Sequence, residues 1–170
     1  MNLPNGARLG AYEIVEPLGA GGMGEVYKAH DTRLHRTVAL KILSASLADD
    51  PTWRLRFDRE ARLLAALTHP HICAVYDVGS ENQTSFMVME YIEGETLGAR
   101  LGRGPLPVDQ MLRTAAEIAD GLAQAHRQSV CHRDLKPGNV MLTRAVPNCS
   151  TSGLHGSTRR LQHTRPIARR

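Results

Sequence analysis

Four glycines within six residues, Gly19, Gly21, Gly22 and Gly24, lie between two short runs that each read as a strand, and this arrangement constrains the fold more than any other feature of the chain. Ahead of them, Tyr12 to Leu18 alternates apolar and polar residues as a half-buried strand does, and behind them Glu25-Val26-Tyr27-Lys28-Ala29 resumes an extended pattern. Strand, glycine tip, strand is a hairpin. A dinucleotide-binding unit places a helix after its glycines, so the second strand argues against it. Glycines at such a tip let backbone N–H groups approach an anion such as a phosphate with no side chain in the way. They also serve plain turns, and the string alone leaves both readings open.

Thr37 to Leu43 reads as a third strand, with Val38, Leu40 and Ile42 on one face and Ala39 and Lys41 on the other. Asp50-Pro51 is a helix start, an N-cap acid before a proline at the first helical position, and Trp53, Phe57, Ala61 and Leu64 follow at helical spacing. Glu60 lies beside that stripe, and the helix is predicted to stop near Thr68-His69-Pro70. Two more strands, Ile72 to Val78 and Ser85 to Tyr91, are joined by a polar loop, Gly79 to Thr84, which completes five strands and one helix. Gly94 to Pro107, with four glycines and two prolines, reads as a hinge holding a short helix at Thr96 to Leu101. A long helix follows, whose stripe runs Val108, Met111, Leu112, Ala115, Ile118, Ala119, Leu122 and Ala125. A lone lysine on a strand is most often a solvated edge charge. Held by a helical carboxylate at Glu60, Lys41 becomes instead an oriented cation for phosphates.

Just after the long helix comes His132-Arg133-Asp134-Leu135-Lys136-Pro137-Gly138-Asn139, an acid with a lysine two residues on and an asparagine five residues on. With Gly19 to Val26 matching G-x-G-x-x-G-x-V, Val38-Ala39-Leu40-Lys41 and Glu60 in order upstream, the chain from about Tyr12 to Leu142 resembles the first part of a bacterial serine/threonine protein kinase. The resemblance implies an α+β, protein-kinase-like fold: a five-stranded antiparallel N-lobe with one helix and a hinge over residues 1–92, then only the first helices and catalytic loop of the C-lobe over 93–143, with a non-homologous tail over 144–170. It further implies ATP and Mg2+ as cofactors and a protein substrate with a Ser or Thr acceptor. Gly19, Ala20, Gly21, Gly22, Met23 and Gly24 would cover the ATP phosphates, Lys41 would pair with the alpha and beta phosphates, and Glu60 would hold Lys41. Asp134 would accept the proton of the substrate hydroxyl, Lys136 would steady the transferred phosphoryl group, and Asn139 would bind magnesium. Leu18, Val26, Ala39 and Met141 would sandwich the adenine, Met89 would be the gatekeeper, and Glu90 to Ile92 would form the hinge whose backbone meets the base. Dimerisation through the N-lobe is a further expectation.

Composition decides the remaining questions. With 42% hydrophobic and 22% charged residues the chain can bury a core. No apolar run approaches the roughly 18 residues of a membrane span, and the opening residues lack a secretion signal's apolar stretch, so the expected location is the cytoplasm. Cys73, Cys131 and Cys149 form no C-x-x-C pair, which argues against a disulfide framework or a zinc site. The net charge of +4 is no sign of a nucleic-acid partner, because six arginines fall after Thr143 and leave 15 basic against 17 acidic residues before them.

The tail departs from the family. An Asp-Phe-Gly metal ligand should follow, yet no Asp or Glu occurs after Asp134. The expected cause is a shifted reading frame. Cys149-Ser150-Thr151-Ser152-Gly153-Leu154-His155-Gly156 can be encoded TGC TCG ACT TCG GGC TTG CAC GGN, which one base earlier reads Leu-Leu-Asp-Phe-Gly-Leu-Ala-Arg. A basic tail that is disordered or meets anionic partners is the alternative. Without that carboxylate transfer should be negligible, and without its lobe the long helix should leave apolar side chains exposed, favouring aggregation or proteolysis. The rival to a kinase is a non-catalytic ATP-binding or interaction module.

Overall fold

The computed structural model describes residues 3–21, 24–43, 61, 63–81 and 84–143, together with the backbone of 159–161. It divides into two units, Met1–Ala66 with Ala74–Tyr91, and Leu67–Cys73 with Ile92–Arg170.

In the first unit six antiparallel strands form one sheet: β1 (Arg8–Leu9), β2 (Tyr12–Gly21), β3 (Gly24–Asp31), β4 (Arg36–Leu43), β5 (Val75–Glu81) and β6 (Thr84–Glu90), in the order β1-β2-β3-β4-β6-β5. The five expected strands are there, and the two-residue β1 edges them. The polar loop expected at Gly79 to Thr84 is shorter than the composition suggests, because Gly79 to Glu81 pair with Phe86 to Thr84 and carry the hairpin almost to its tip. Gly79 permits this: a Cβ there would meet the Phe86 ring at 2.4 Å. The start of the predicted helix lies outside the described residues; 61 and 63–65 are helical, and the helix has ended before Thr68.

Alternation on β4 is obeyed. Val38, Leu40 and Ile42 join Tyr12, Ile14, Tyr27, Ala29, Phe86 and Val88 in one buried cluster, with Leu3 and Ala7 packed on it. Each fully buried Val, Leu, Ile or Phe side chain among them contributes about 1.5–3 kcal/mol. Turn chemistry closes β3 onto β4: the buried Asp31 accepts from the N–H groups of Arg33 and Leu34 through Oδ1 at 3.1 and 3.2 Å. Side chains then join the two ends of the sheet. The Tyr12 hydroxyl on β2 donates to Asp77 on β5 at 2.8 Å, and the Gly10 N–H donates to Glu81. Strands so far apart in the pairing order meet because the twisted sheet curls.

The second unit holds a three-stranded sheet of β7 (Gly94–Thr96), β8 (Val140–Thr143) and β9 (Arg159–Leu161), with helices α1 (Leu97–Leu101) and α2 (Val108–Arg127). Thr96 caps α1 by accepting from the Ala99 N–H at 3.0 Å. Helix α2 carries Asp109 in its first turn and His126 and Arg127 in its last, signs that suit the helix dipole. It ends where Ser129 turns to φ 59° and the Val130 N–H reaches back to the Ala125 carbonyl at 2.9 Å. Its stripe is largely uncovered: Val108 is 68% exposed, Met111 49% and Leu112 60%. Residues 67–73 attach to this helix through His69, whose Nε2 stands 3.3 Å from Asp120 Oδ2 while its Nδ1 accepts the His71 N–H at 3.2 Å.

Candidate functional site

The strand register of the first unit collects one group of predicted residues. Gly19 pairs with Val26, Val26 with Lys41, and Lys41 with Met87, which puts them in one row across β2, β3, β4 and β6. The neighbouring row runs from Lys28 through Ala39 to Met89. Ala39 and Lys41 are two residues apart on β4 and so share a face, opposite the buried cluster. Leu18 stands 46% exposed where the β2–β3 register shifts between Pro17 and Gly19. Lys41 is only 8% exposed, an uncommon state for an ammonium and one that requires a compensating partner. Glu60, predicted as that partner, lies outside the described residues, as do Gly22 and Met23 of the tip.

Gly24 marks where the tip meets the sheet. Its φ is +131°, and a Cβ there would lie 1.8 Å from the Ile42 carbonyl oxygen, so only glycine fits. On the opposite face of the same strand, the Tyr27 hydroxyl donates to Glu25 Oε2 at 2.5 Å and accepts the Leu3 N–H at 3.0 Å. The hydrogen bond from Tyr27 holds the Glu25 carboxyl below its ordinary value. Burial, then Glu25, push the Tyr27 hydroxyl up. Glu25 and Tyr27 escaped the sequence reading; their i, i+2 spacing on one strand face was the available signal.

Of the expected hinge, Glu90 closes the first unit's sheet with its N–H on the Ala74 carbonyl at 2.9 Å. Ile92 is buried and belongs to the second unit.

The second unit brings Asp134, Lys136 and Asn139 together. The loop turns sharply at Arg133, φ 58°, and the Asp134 N–H bonds back to the His132 carbonyl at 2.8 Å. A non-glycine residue in that region costs on the order of 1–3 kcal/mol, strain held by the buried neighbours Val130 and His132. Lys136 places its ammonium 3.1 Å from Asp134 Oδ2. Asn139, in a 3₁₀ turn over Pro137–Asn139, donates from Nδ2 to the Asp134 carbonyl at 2.7 Å and to Asp134 Oδ2 at 3.2 Å. The turn rests on α1 at Gly98, where a Cβ would come 3.4 Å from the Gly138 nitrogen, and it leads into β8, whose Met141 is buried.

Chemically, this loop offers a carboxylate at the rim, a cation beside it, and an amide oriented by its nitrogen. An amide oxygen such as that of Asn139 is a ligand type that hard divalent cations such as magnesium accept. Among the described residues, no group of three or more His, Cys, Asp or Glu side chains could hold a metal by itself. No helix among them is long and apolar enough to cross a membrane.

The chain is similar to known proteins. The protein kinase domain family matches residues 12–149. A probable serine/threonine-protein kinase of Streptomyces coelicolor is 50% identical over 141 residues, covering 79% of this chain and 21% of its own. Serine/threonine-protein kinase PknB of Mycobacterium leprae is 47% identical over 138 residues, covering 78% of this chain and 22% of its own. Among solved structures, the Mycobacterium tuberculosis PknI kinase domain aligns with a TM-score of 0.80 at 33% identity, over 95% of this chain and 62% of that one. The chain thus spans about a fifth of the length of these curated relatives.

Proposed function

The chain belongs to the protein kinase family, and from that premise we propose that it carries the ATP-binding lobe and catalytic loop of a serine/threonine protein kinase acting in the cytoplasm on protein hydroxyls. The carrying observation is the convergence of Lys136 and Asn139 on a single carboxylate oxygen of Asp134, at 3.1 and 3.2 Å. In the reaction of such a kinase the substrate hydroxyl oxygen bonds to the gamma phosphorus of ATP, the bond to the beta–gamma bridging oxygen breaks, and ADP leaves. Asp134 receives the hydroxyl proton. Lys136 offsets charge on the transferred group while orienting the carboxylate, and its position two residues after the acid, typical of serine/threonine rather than tyrosine kinases, directs the enzyme to Ser or Thr.

In the first unit, Gly19 to Gly24 offer backbone N–H groups to phosphates and Lys41 pairs with them, held by Glu60. Leu18, Val26 and Ala39 of this unit take the adenine, Met89 limits its depth, and Glu90 meets its polar edge. Magnesium would be held by the Asn139 side-chain oxygen and would neutralise charge on the phosphates.

A second reading, a module that binds nucleotide without turning it over, is favoured by one feature: no carboxylate follows Asp134 in these 170 residues. A magnesium-dependent assay of phosphate transfer from ATP to a Ser/Thr-containing test protein separates the two. Transfer that disappears in Asp134→Asn supports the catalytic reading. Saturable binding without transfer supports the second, and neither binding nor transfer overturns both.

A further inference from the structure

Tyr27 is 1% exposed, and its ring is part of the sheet's buried cluster. Phenylalanine would fill that space equally well, so packing does not account for the hydroxyl. The hydroxyl emerges from the cluster at its rim and is engaged twice, donating to Glu25 Oε2 at 2.5 Å and accepting from the Leu3 N–H at 3.0 Å. One O–H group has the single proton and the lone pairs these two contacts need.

Glu25 is the residue next to Gly24, and it pairs with Ala20 of β2 on one side and Ile42 of β4 on the other. Its neighbour Val26 lies in the row with Gly19 and Lys41. Gly24 is itself pressed against the Ile42 carbonyl. The strand leg leaving the tip is therefore held at three successive residues: at Gly24 by the backbone of β4, at Glu25 by the Tyr27 hydroxyl, and at Val26 by its place in the Lys41 row.

We propose that the Tyr27 hydroxyl is a positioning group for nucleotide binding, one that fixes the Glu25 side chain and thereby the Gly24–Val26 leg beneath the glycine tip. The proposal rests on the kinase reading for its ligand but not for its geometry. A charge-assisted hydrogen bond whose loss frees the leg should show first as local opening and then as weaker binding of a nucleotide whose phosphates use the tip.

The test uses the full chain and the variants Tyr27→Phe and Glu25→Ala, the second removing the contact from the rim without touching the buried ring. Amide hydrogen exchange without nucleotide is expected to speed up roughly tenfold at Gly24, Glu25 and Val26 in either variant, with Val38 to Ile42 unchanged. The double variant is expected to fall short of the sum of the singles, because the bond between Tyr27 and Glu25 is lost in both. Affinity for a fluorescent ATP analogue with magnesium falls about three- to tenfold in the same variants. Parent-like exchange at Gly24 to Val26, equal acceleration over Val38 to Ile42, or unchanged affinity in a parent that binds would each overturn the proposal. A parent that binds no nucleotide, with the local exchange effect present, contradicts the kinase reading and leaves the positioning of the leg standing.

Discussion

Asn139 donates one amide nitrogen to two oxygens of Asp134, the backbone carbonyl at 2.7 Å and the carboxylate at 3.2 Å. The asparagine is buried, so the amide both shapes the loop and aims the acid. Asn139→Ala, which removes both bonds, is expected to lower stability by about 1–3 kcal/mol. Asn139→Asp keeps the shape but sets a second carboxylate against Asp134. Like charges resist joint ionisation, so this variant should lose more stability at pH 7 than at pH 4. Urea denaturation at the two pH values checks the order, and an equal loss at both would remove the electrostatic part of the explanation.

Gly24 and Gly19 make a matched pair for the tip. A Cβ at Gly24 would strike the Ile42 carbonyl at 1.8 Å at a φ of +131°, whereas one at Gly19 would meet nothing within 4 Å. Gly24→Ala is expected to destabilise by more than about 3 kcal/mol, as steric strain and a positive φ combine. Gly19→Ala should stay within about 1 kcal/mol of the parent. Thermal melts of the two variants side by side test this.

Two groups at the edge of the first unit give the stability curve its limits. Burial and the hydrogen bond to Asp77 push the Tyr12 hydroxyl up from 10.0 to about 12. A raised pKa means that this group's contribution is complete below pH 10 and disappears as the pH rises towards 12. Asp31 moves the other way: burial pushes it up, but the N–H groups of Leu34 and Arg33 and the guanidiniums of Arg33 and Arg36 outweigh burial and hold it below 3.8. Its contribution is present above that value and lost on further acidification. Tyr12→Phe should flatten the alkaline limb and Asp31→Asn the acid limb, read from denaturation midpoints against pH.

Much of this was legible in the chain because the relevant forces are local. Alternation on Val38 to Leu43 placed Lys41 on the face away from the core, and the glycine string followed by a second strand gave the hairpin. The paired chemistry of Asp134, Lys136 and Asn139 follows from proximity in one loop. Three things were not legible. The Arg133 backbone at φ 58° depends on buried neighbours, not on its own preference. The bonds from Tyr12 to Asp77 and from Gly10 to Glu81 depend on curling of the whole sheet, which no residue pattern encodes. The bond from Tyr27 to Glu25 needed the knowledge that residue 3 covers that face.

The match to the protein kinase family ends at residue 149, where the neighbouring frame would begin to spell Leu-Leu-Asp-Phe-Gly. The expected base sequence over Asn148 to Gly156 encodes Asp-Phe-Gly one base back. Sequencing the gene checks this, and bases that cannot encode it would leave the basic tail as an independent segment.

Whether this chain holds a nucleotide as a kinase does is decided by equilibrium titration with ATP and magnesium. Saturable binding is expected of the parent, at least about tenfold weaker binding of Lys41→Met, where a phosphate-pairing ammonium is lost, and parent-like binding of Asp134→Asn, whose carboxylate is assigned to the proton. Absence of saturable binding by the parent, or Lys41→Met binding as tightly as the parent, would contradict that reading.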